Sequence, residues 1–218
     1  MTFTLTGCGD KVQYSSLVSF GDSLSDVGTY KVGTVAALGG GKYTVNSSSA
    51  KNWTELVATH YNLAAPCAAQ TGLDGDASKG FSVAVTNRAS CFNYVQGGAR
   101  VTNPVGPGNK YLGGDNATLG QLTVPVVTQM QNHLGKLPQG KFAGTELVTV
   151  MAGGNDVFIN VATYSATVTA APSQATAAAT AAVTAMATAG AELAGYVKTK
   201  LKANGAKYIV VVNLPDVA

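Results

Sequence analysis

The 218-residue chain is 46% hydrophobic and 11% charged and carries 26 glycines, which fits one loop-rich globular domain with one substantial core. Its net charge of +3 comes from 14 basic and 11 acidic residues scattered along the chain, with no Lys/Arg block and only Arg88 and Arg100 as arginines; this excludes the clustered basic footprint of a nucleic-acid binder. No uninterrupted apolar stretch approaches the roughly 20 residues of a membrane-spanning helix, and the Ala/Thr-rich segment 166–194 reads as long but too polar to span.

Residues 1–16 read as a polar tail. Within it, Leu5-Thr6-Gly7-Cys8 has the pattern of a bacterial lipobox, whose cysteine becomes a lipidated first residue. Too few residues precede Cys8 for a charged region plus an apolar region of about 7–15 residues. The expectation is therefore that most of a signal peptide is missing ahead of it; the alternative is a chance tetrapeptide. Leu17-Val18-Ser19-Phe20 is a short apolar run ending at Gly21, consistent with a buried strand. Trp53 to Tyr61 fits a helix capped by Asn52, with Trp53, Leu56, Val57 and His60 on one face. Residues 64–80 are turn-rich, and a second strand is expected to end near Cys91-Phe92-Asn93-Tyr94. The glycine- and proline-rich stretch 97–120 reads as loop.

Val124 to Leu134 is expected to be helical, packing Val127, Met130 and Leu134 inward. Glu146 to Met151 is the clearest central strand, closed by Gly153-Gly154. In the helical segment that follows, Val183, Met186, Gly190, Leu193, Val197 and Leu201 recur at 3–4 spacing; it begins near Pro172-Ser173 and stops at Asn204-Gly205. Tyr208 to Val212 is one more apolar strand. Alternating strands and helices imply an α/β fold with a largely parallel sheet. A last strand without a covering helix would leave an apolar edge, so residue 218 reads as a cut.

Of three cysteines, Cys67 and Cys91 remain if Cys8 carries lipid. They either pair in a disulfide suited to an oxidising compartment or stay as two thiols. Neither has a Cys or His partner at ligand spacing, so no metal site and no cofactor is expected.

Three turns that follow strands carry the chemistry, as the carboxyl ends of parallel strands do. Gly21-Asp22-Ser23-Leu24-Ser25-Asp26 places a serine at a strand-to-helix turn. Asn93 to Ala99 offers glycine backbone N–H groups, and Gly153-Gly154-Asn155-Asp156 offers a side-chain amide. A nucleophile with backbone and side-chain donors is the set that acyl transfer requires. Asp22, Asp26 and Asp156 read as structural, with Asp156 able to orient Asn155. Arg100 and Tyr111 either line the substrate pocket or are solvated loop residues.

These three blocks, in this order and spacing, resemble the SGNH (GDSL-type) serine ester hydrolases over about residues 17–218, and Val212-Asn213-Leu214-Pro215 resembles the family's fourth-strand ending. The resemblance implies a three-layer α/β/α sandwich with a mostly parallel, flavodoxin-like sheet, here without its last strand and helix. It implies hydrolysis of carboxylic esters, such as lipid, short-chain acyl or aryl esters; the lipobox pattern and the cysteine pair add the expectation of a secreted or cell-envelope protein. It assigns Ser23 as nucleophile and, through its N–H, as oxyanion donor beside Gly98 and Asn155. The family's Asp-x-x-His block does not occur in the chain, and His60 and His133 both fall in helices. A C-terminal segment carrying that block is therefore expected as the partner that completes the triad. The alternative is a catalytically inactive SGNH-fold module that binds lipid or glycan.

Overall fold

The computed structural model describes residues 12–45, 47 and 49–215; Cys8 and its lipobox pattern lie outside these residues. The sheet at its centre consists of β1 (Leu17–Gly21), β4 (Leu147–Met151) and β5 (Tyr208–Val211), all parallel in the order β1-β4-β5. β1 and β4 run in step, from Leu17 opposite Leu147 to Gly21 opposite Met151. Both are buried along their whole length, so their side chains alternate between two apolar faces.

On one face Val18, Phe20, Val148 and Val150 pack with Val126 and Met130 of α4 (Val126–Leu134) and with Leu201 at the end of the long C-terminal helical segment. On the other, Leu17 and Leu147 meet Ala58 of α2 (Trp53–His60), with Tyr14, Val57 and Tyr208 around them. Helix, sheet and helix thus make the expected three layers. Asn52 and Glu55 close a capping box at the start of α2. Its inner face is Thr54 and Ala58, however, while Leu56 and His60 lie exposed, contrary to the expected Trp53/Leu56/Val57/His60 face. The inward residues of α4 are Val126, Gln129, Met130 and His133, with Leu134 partly buried against the core.

The expected second strand is reduced to single bridges. Asn93 bridges Ser19 of β1 on one side and Ala68 on the other, both parallel. A disulfide between Cys67 and Cys91 fastens these two segments together. An unforeseen antiparallel ribbon starts within the turn-rich stretch and runs past it: β2 (Gln70–Asp74) pairs with β3 (Ser82–Asn87). Short helices α1 (Gly33–Ala37) and α3 (Asp115–Leu119) lie in the connecting loops.

Beyond β4 the chain forms a helical hairpin: α5 (Gly154–Ala170), a tight turn at Pro172–Gln174, and α6 (Ala175–Tyr196), which continues through Val197–Leu201 to a stop at Gly205 in the left-handed region. The expected apolar stripe packs only in its C-terminal part. Leu193, Val197 and Leu201 reach the core, whereas Val183 is 62% exposed because the helix runs past the body. The expectation that this segment is too polar to span also needs correction: as one helical stretch, Pro172–Asn204 is long and apolar enough to cross a membrane by length and composition.

His133 is buried among Phe20, Phe92, Tyr94 and Phe142, its Nδ1 3.2 Å from the Tyr94 hydroxyl. Burial pushes its imidazole down to about 4, opposed by the Glu146 charge and aided by Lys136. Between that value and the ordinary 6.5, the unfolded chain binds a proton that the folded chain refuses. Stability therefore falls as pH drops through this window. Asp22 and Asp26, pushed up to about 6 by burial, act in the opposite sense, because the folded chain holds their protons first as pH falls. Comparison of the wild type with His133→Phe isolates the histidine. The wild type should lose about 3 kcal/mol relative to the variant between about pH 7 and about pH 4, read by urea unfolding; parallel pH profiles would refute it. Separately, opening the Cys67–Cys91 bond with a Cys67→Ser/Cys91→Ser double variant should cost about 3 kcal/mol by the same measurement, since the bond closes a loop of separation 24.

Candidate active site

Two loops and one helix start meet at the carboxyl ends of β1 and β4. β1 ends at Gly21, whose φ is +151°, and a Cβ there would stand 2.1 Å from the carbonyl oxygen of Met151. Only glycine allows the turn to begin this close to β4. The Asp22 amide then donates to Met151 O at 3.2 Å, and the Asp22 side chain caps the single helical turn Ser23–Ser25 by accepting from Leu24 N. Burial pushes the Asp22 carboxyl up to about 6; the Leu24 N–H opposes this and the charge of Asp156 adds to it.

The turn is tied down on every side. Trp53 Nε1 donates to Ser25 Oγ at 3.0 Å, and the Asn93 amide donates to Ser25 O at 3.1 Å. Asp26, fully buried, accepts from the N–H groups of Gly28 and Thr29 on one carboxylate oxygen and of Gly97 on the other. Its burial raises the pKa to about 6, against the pull of these same N–H groups. Asp26 thereby joins the turn after β1 to the loop holding Gly97 and Gly98, which is the structural role the sequence suggested.

Asn155 sits in the first turn of α5, directly after β4, and is buried. Its Nδ2 donates to Ala99 O at 2.8 Å, which leaves the second amide hydrogen for another acceptor. Asp156 accepts from Arg100 Nε and from Val101 N, each at 2.9 Å, so it clamps the chain just after Gly98. Arg100 is thus a partly buried ion-pair partner of Asp156 rather than a solvated loop residue, while Tyr111 is 77% exposed.

Ser23 and Asn155 line one small cavity of about 110 Å³. Its other walls are Asp22, Leu24, Gly154, Val157, Phe158, Leu214 and Pro215, a mostly apolar set. Gly98 is not on this lining. It adjoins Asn155 through the Ala99 carbonyl, with φ +78°, and a Cβ would meet Pro107 O at 2.1 Å. Among the described residues, neither the Ser23 N–H nor the Gly98 N–H has a backbone acceptor. Neither histidine lines the cavity: His60 is exposed on α2, and His133 is sealed in the core. No group of three or more His, Cys, Asp or Glu able to hold a metal occurs among the described residues.

One positioning residue was not foreseen. Gln129 of α4 accepts from Gly21 N at 2.9 Å and donates to Gly21 O and Val124 O at 2.9 Å each. A glutamine one turn into a helix, on the same face as Val126 and Met130, was the available signal. Gln129→Leu keeps the volume and strands these buried backbone groups, so it should cost about 3 kcal/mol of stability in urea unfolding; a loss within about 0.5 kcal/mol would show that Gln129 does not hold the turn.

A family model described as GDSL-like lipase/acylhydrolase matches residues 17–217, nearly the whole chain. No curated protein matches it significantly. The serine turn after β1 and the amide after β4 fall inside that match, and the chain belongs to the GDSL-like lipase/acylhydrolase family.

Proposed function

We propose that this member of a family of ester hydrolases cleaves carboxylic esters through an acyl-enzyme on Ser23. The observation that carries the reading is the placing of Ser23 and Asn155 on one cavity wall at the ends of adjacent parallel strands. The apolar walls Leu24, Val157, Phe158, Leu214 and Pro215 favour a lipid, short-chain acyl or aryl ester over a highly polar one.

In this mechanism Ser23 Oγ attacks the ester carbonyl, and its proton passes to the histidine of an Asp-x-x-His segment that follows residue 218. The carbonyl oxygen gains negative charge and is held by the N–H groups of Ser23 and Gly98 and by the Asn155 amide. The tetrahedral adduct expels the alcohol, which takes the proton from the histidine. Water, deprotonated by the same histidine, then cleaves the acyl-enzyme and frees the acid. Asp22, Asp26, Asp156 and Gln129 hold these donors in place. The Cys67–Cys91 disulfide fits an extracytoplasmic protein; a secreted or envelope location, with Cys8 as a lipid anchor, accords with this reading.

A fluorophosphonate probe tests it, because it reacts only with an activated serine. Labelling should be strong in the chain continued through its Asp-x-x-His, weak in residues 1–218, and absent after Ser23→Ala. Asn155→Ala should lower kcat by about 10²–10³ in the continued chain. Full activity of residues 1–218 alone would remove the need for the segment. No labelling of either form would favour the inactive lipid- or glycan-binding module instead.

A further inference from the structure

From Val157 to Ala191 the chain contains no Asp, Glu, Lys, Arg or His, in a protein whose charged residues are otherwise scattered throughout. This charge-free stretch coincides with the α5–α6 hairpin and its turn. A surface hairpin of a soluble domain ordinarily carries charge on its outer face. Here only Asn155 and Asp156 of α5 and Ala189 of α6 are buried, all near the base, and Phe158, Val161 and Val183 are 55%, 48% and 62% exposed.

The threonines make the surface less polar than composition suggests. Thr163, Thr167, Thr169, Thr180 and Thr188 each donate to the carbonyl four residues earlier at 2.8–3.0 Å. Their hydroxyl hydrogens are thus spent inside the helix. Charge returns where the helix rejoins the body, at Glu192, bonded to Thr102, and at Lys198, Lys200 and Lys202. Phe158 belongs both to the exposed surface and to the lining of the Ser23 cavity, so the hairpin surface adjoins the candidate active site.

We infer that the α5–α6 hairpin is a docking surface for an electrically neutral lipid surface, which it contacts through Phe158, Val161 and Val183 while the cavity at its base takes an ester from that surface. An uncharged face with Phe158 at its base and Val161 and Val183 farther along matches a zwitterionic bilayer, whereas a polyanion or an acidic partner would find no cation there. The substrate half of the inference, an ester embedded in lipid, rests on the hydrolase reading; the docking half does not.

Phosphatidylcholine vesicles provide the test, read by co-sedimentation and requiring no turnover. Both the 218-residue chain and the chain continued past residue 218 should bind, insensitively to added salt. Val161→Glu/Val183→Glu, at exposed positions, should lower the bound fraction about tenfold while far-UV circular dichroism stays unchanged. A Val183→Trp variant should show a blue-shifted emission when vesicles are added. Equal binding by the doubly charged variant would overturn the inference. So would binding confined to anionic vesicles and lost in salt, loss of binding in the continued chain, or a dimer in solution that the same substitutions dissociate. Vesicle binding with an unlabelled Ser23 would sustain the docking surface and refute the hydrolase reading alone.

Discussion

The site depends on β1 and β4 ending in step. Gly21 stands opposite Met151 in the ladder, and the two backbones come so close that no side chain fits between them. The hydroxyl after one strand and the amide after the other consequently emerge at the same level. A slip of one residue would turn every side chain of β1 to the opposite face, taking Phe20 and Val18 out of the cluster they share with Val126 and Met130 and moving Ser23 away from Asn155. The apolar faces of the sheet thus fix the register, and the register fixes the site. Stability and geometry share one cause, which explains why both strands are buried along their entire length.

Around that frame the loops are held by buried carboxylates rather than by apolar contacts. Asp26 gathers three N–H groups from two segments, Asp156 holds Arg100 and Val101, and Asp22 caps the serine turn. Buried acids are costly unless each oxygen is satisfied. Asp26 and Asp156 meet that condition with protein donors alone, which makes the loops rigid where an apolar contact would let them slide. Asp22 differs, since one N–H and a neighbouring negative charge leave it the least compensated of the three, and it is the one that lines the cavity.

Much of this was legible in the sequence because it is local. The runs at Leu17–Phe20 and Leu147–Met151 are apolar on both faces, the Asn52/Glu55 spacing is a capping pattern, and Asn204-Gly205 is a helix stop. The three turns that carry Ser23, Gly98 and Asn155 are marked by glycines beside polar residues. What escaped depends on distant partners. Gln129 acts on Gly21 from 108 residues away, and nothing at either position announces the other. Arg100 looked like a loop residue because its counter-charge, Asp156, lies on another element. β3 is exposed almost throughout and so alternates without a buried face, while β2 is buried at Thr71, Gly72 and Leu73 in a run that shows no period. Asn93 forms a strand position only as a bridge between Ser19 and Ala68, which no window of sequence can reveal.

The hairpin shows the limit of reading burial from periodicity. Val183, Met186, Gly190, Leu193, Val197 and Leu201 form one stripe on one helix, and spacing alone treats them alike. The difference comes from length: α6 with its continuation is longer than the sheet it crosses, so the C-terminal residues of the stripe find Val148 and Phe142 in the core while the N-terminal ones overhang. Alanine sustains a helix there by propensity, and the packing of α5 on α6 offsets the lower propensity of threonine, whose hydroxyl is satisfied by bonding back to its own turn. Such a helix can project uncharged into solvent without unfolding. Because Asn155 sits in the first turn of α5, that projection starts from the wall of the cavity itself, and the surface the protein offers to the outside is mechanically continuous with its candidate catalytic groups.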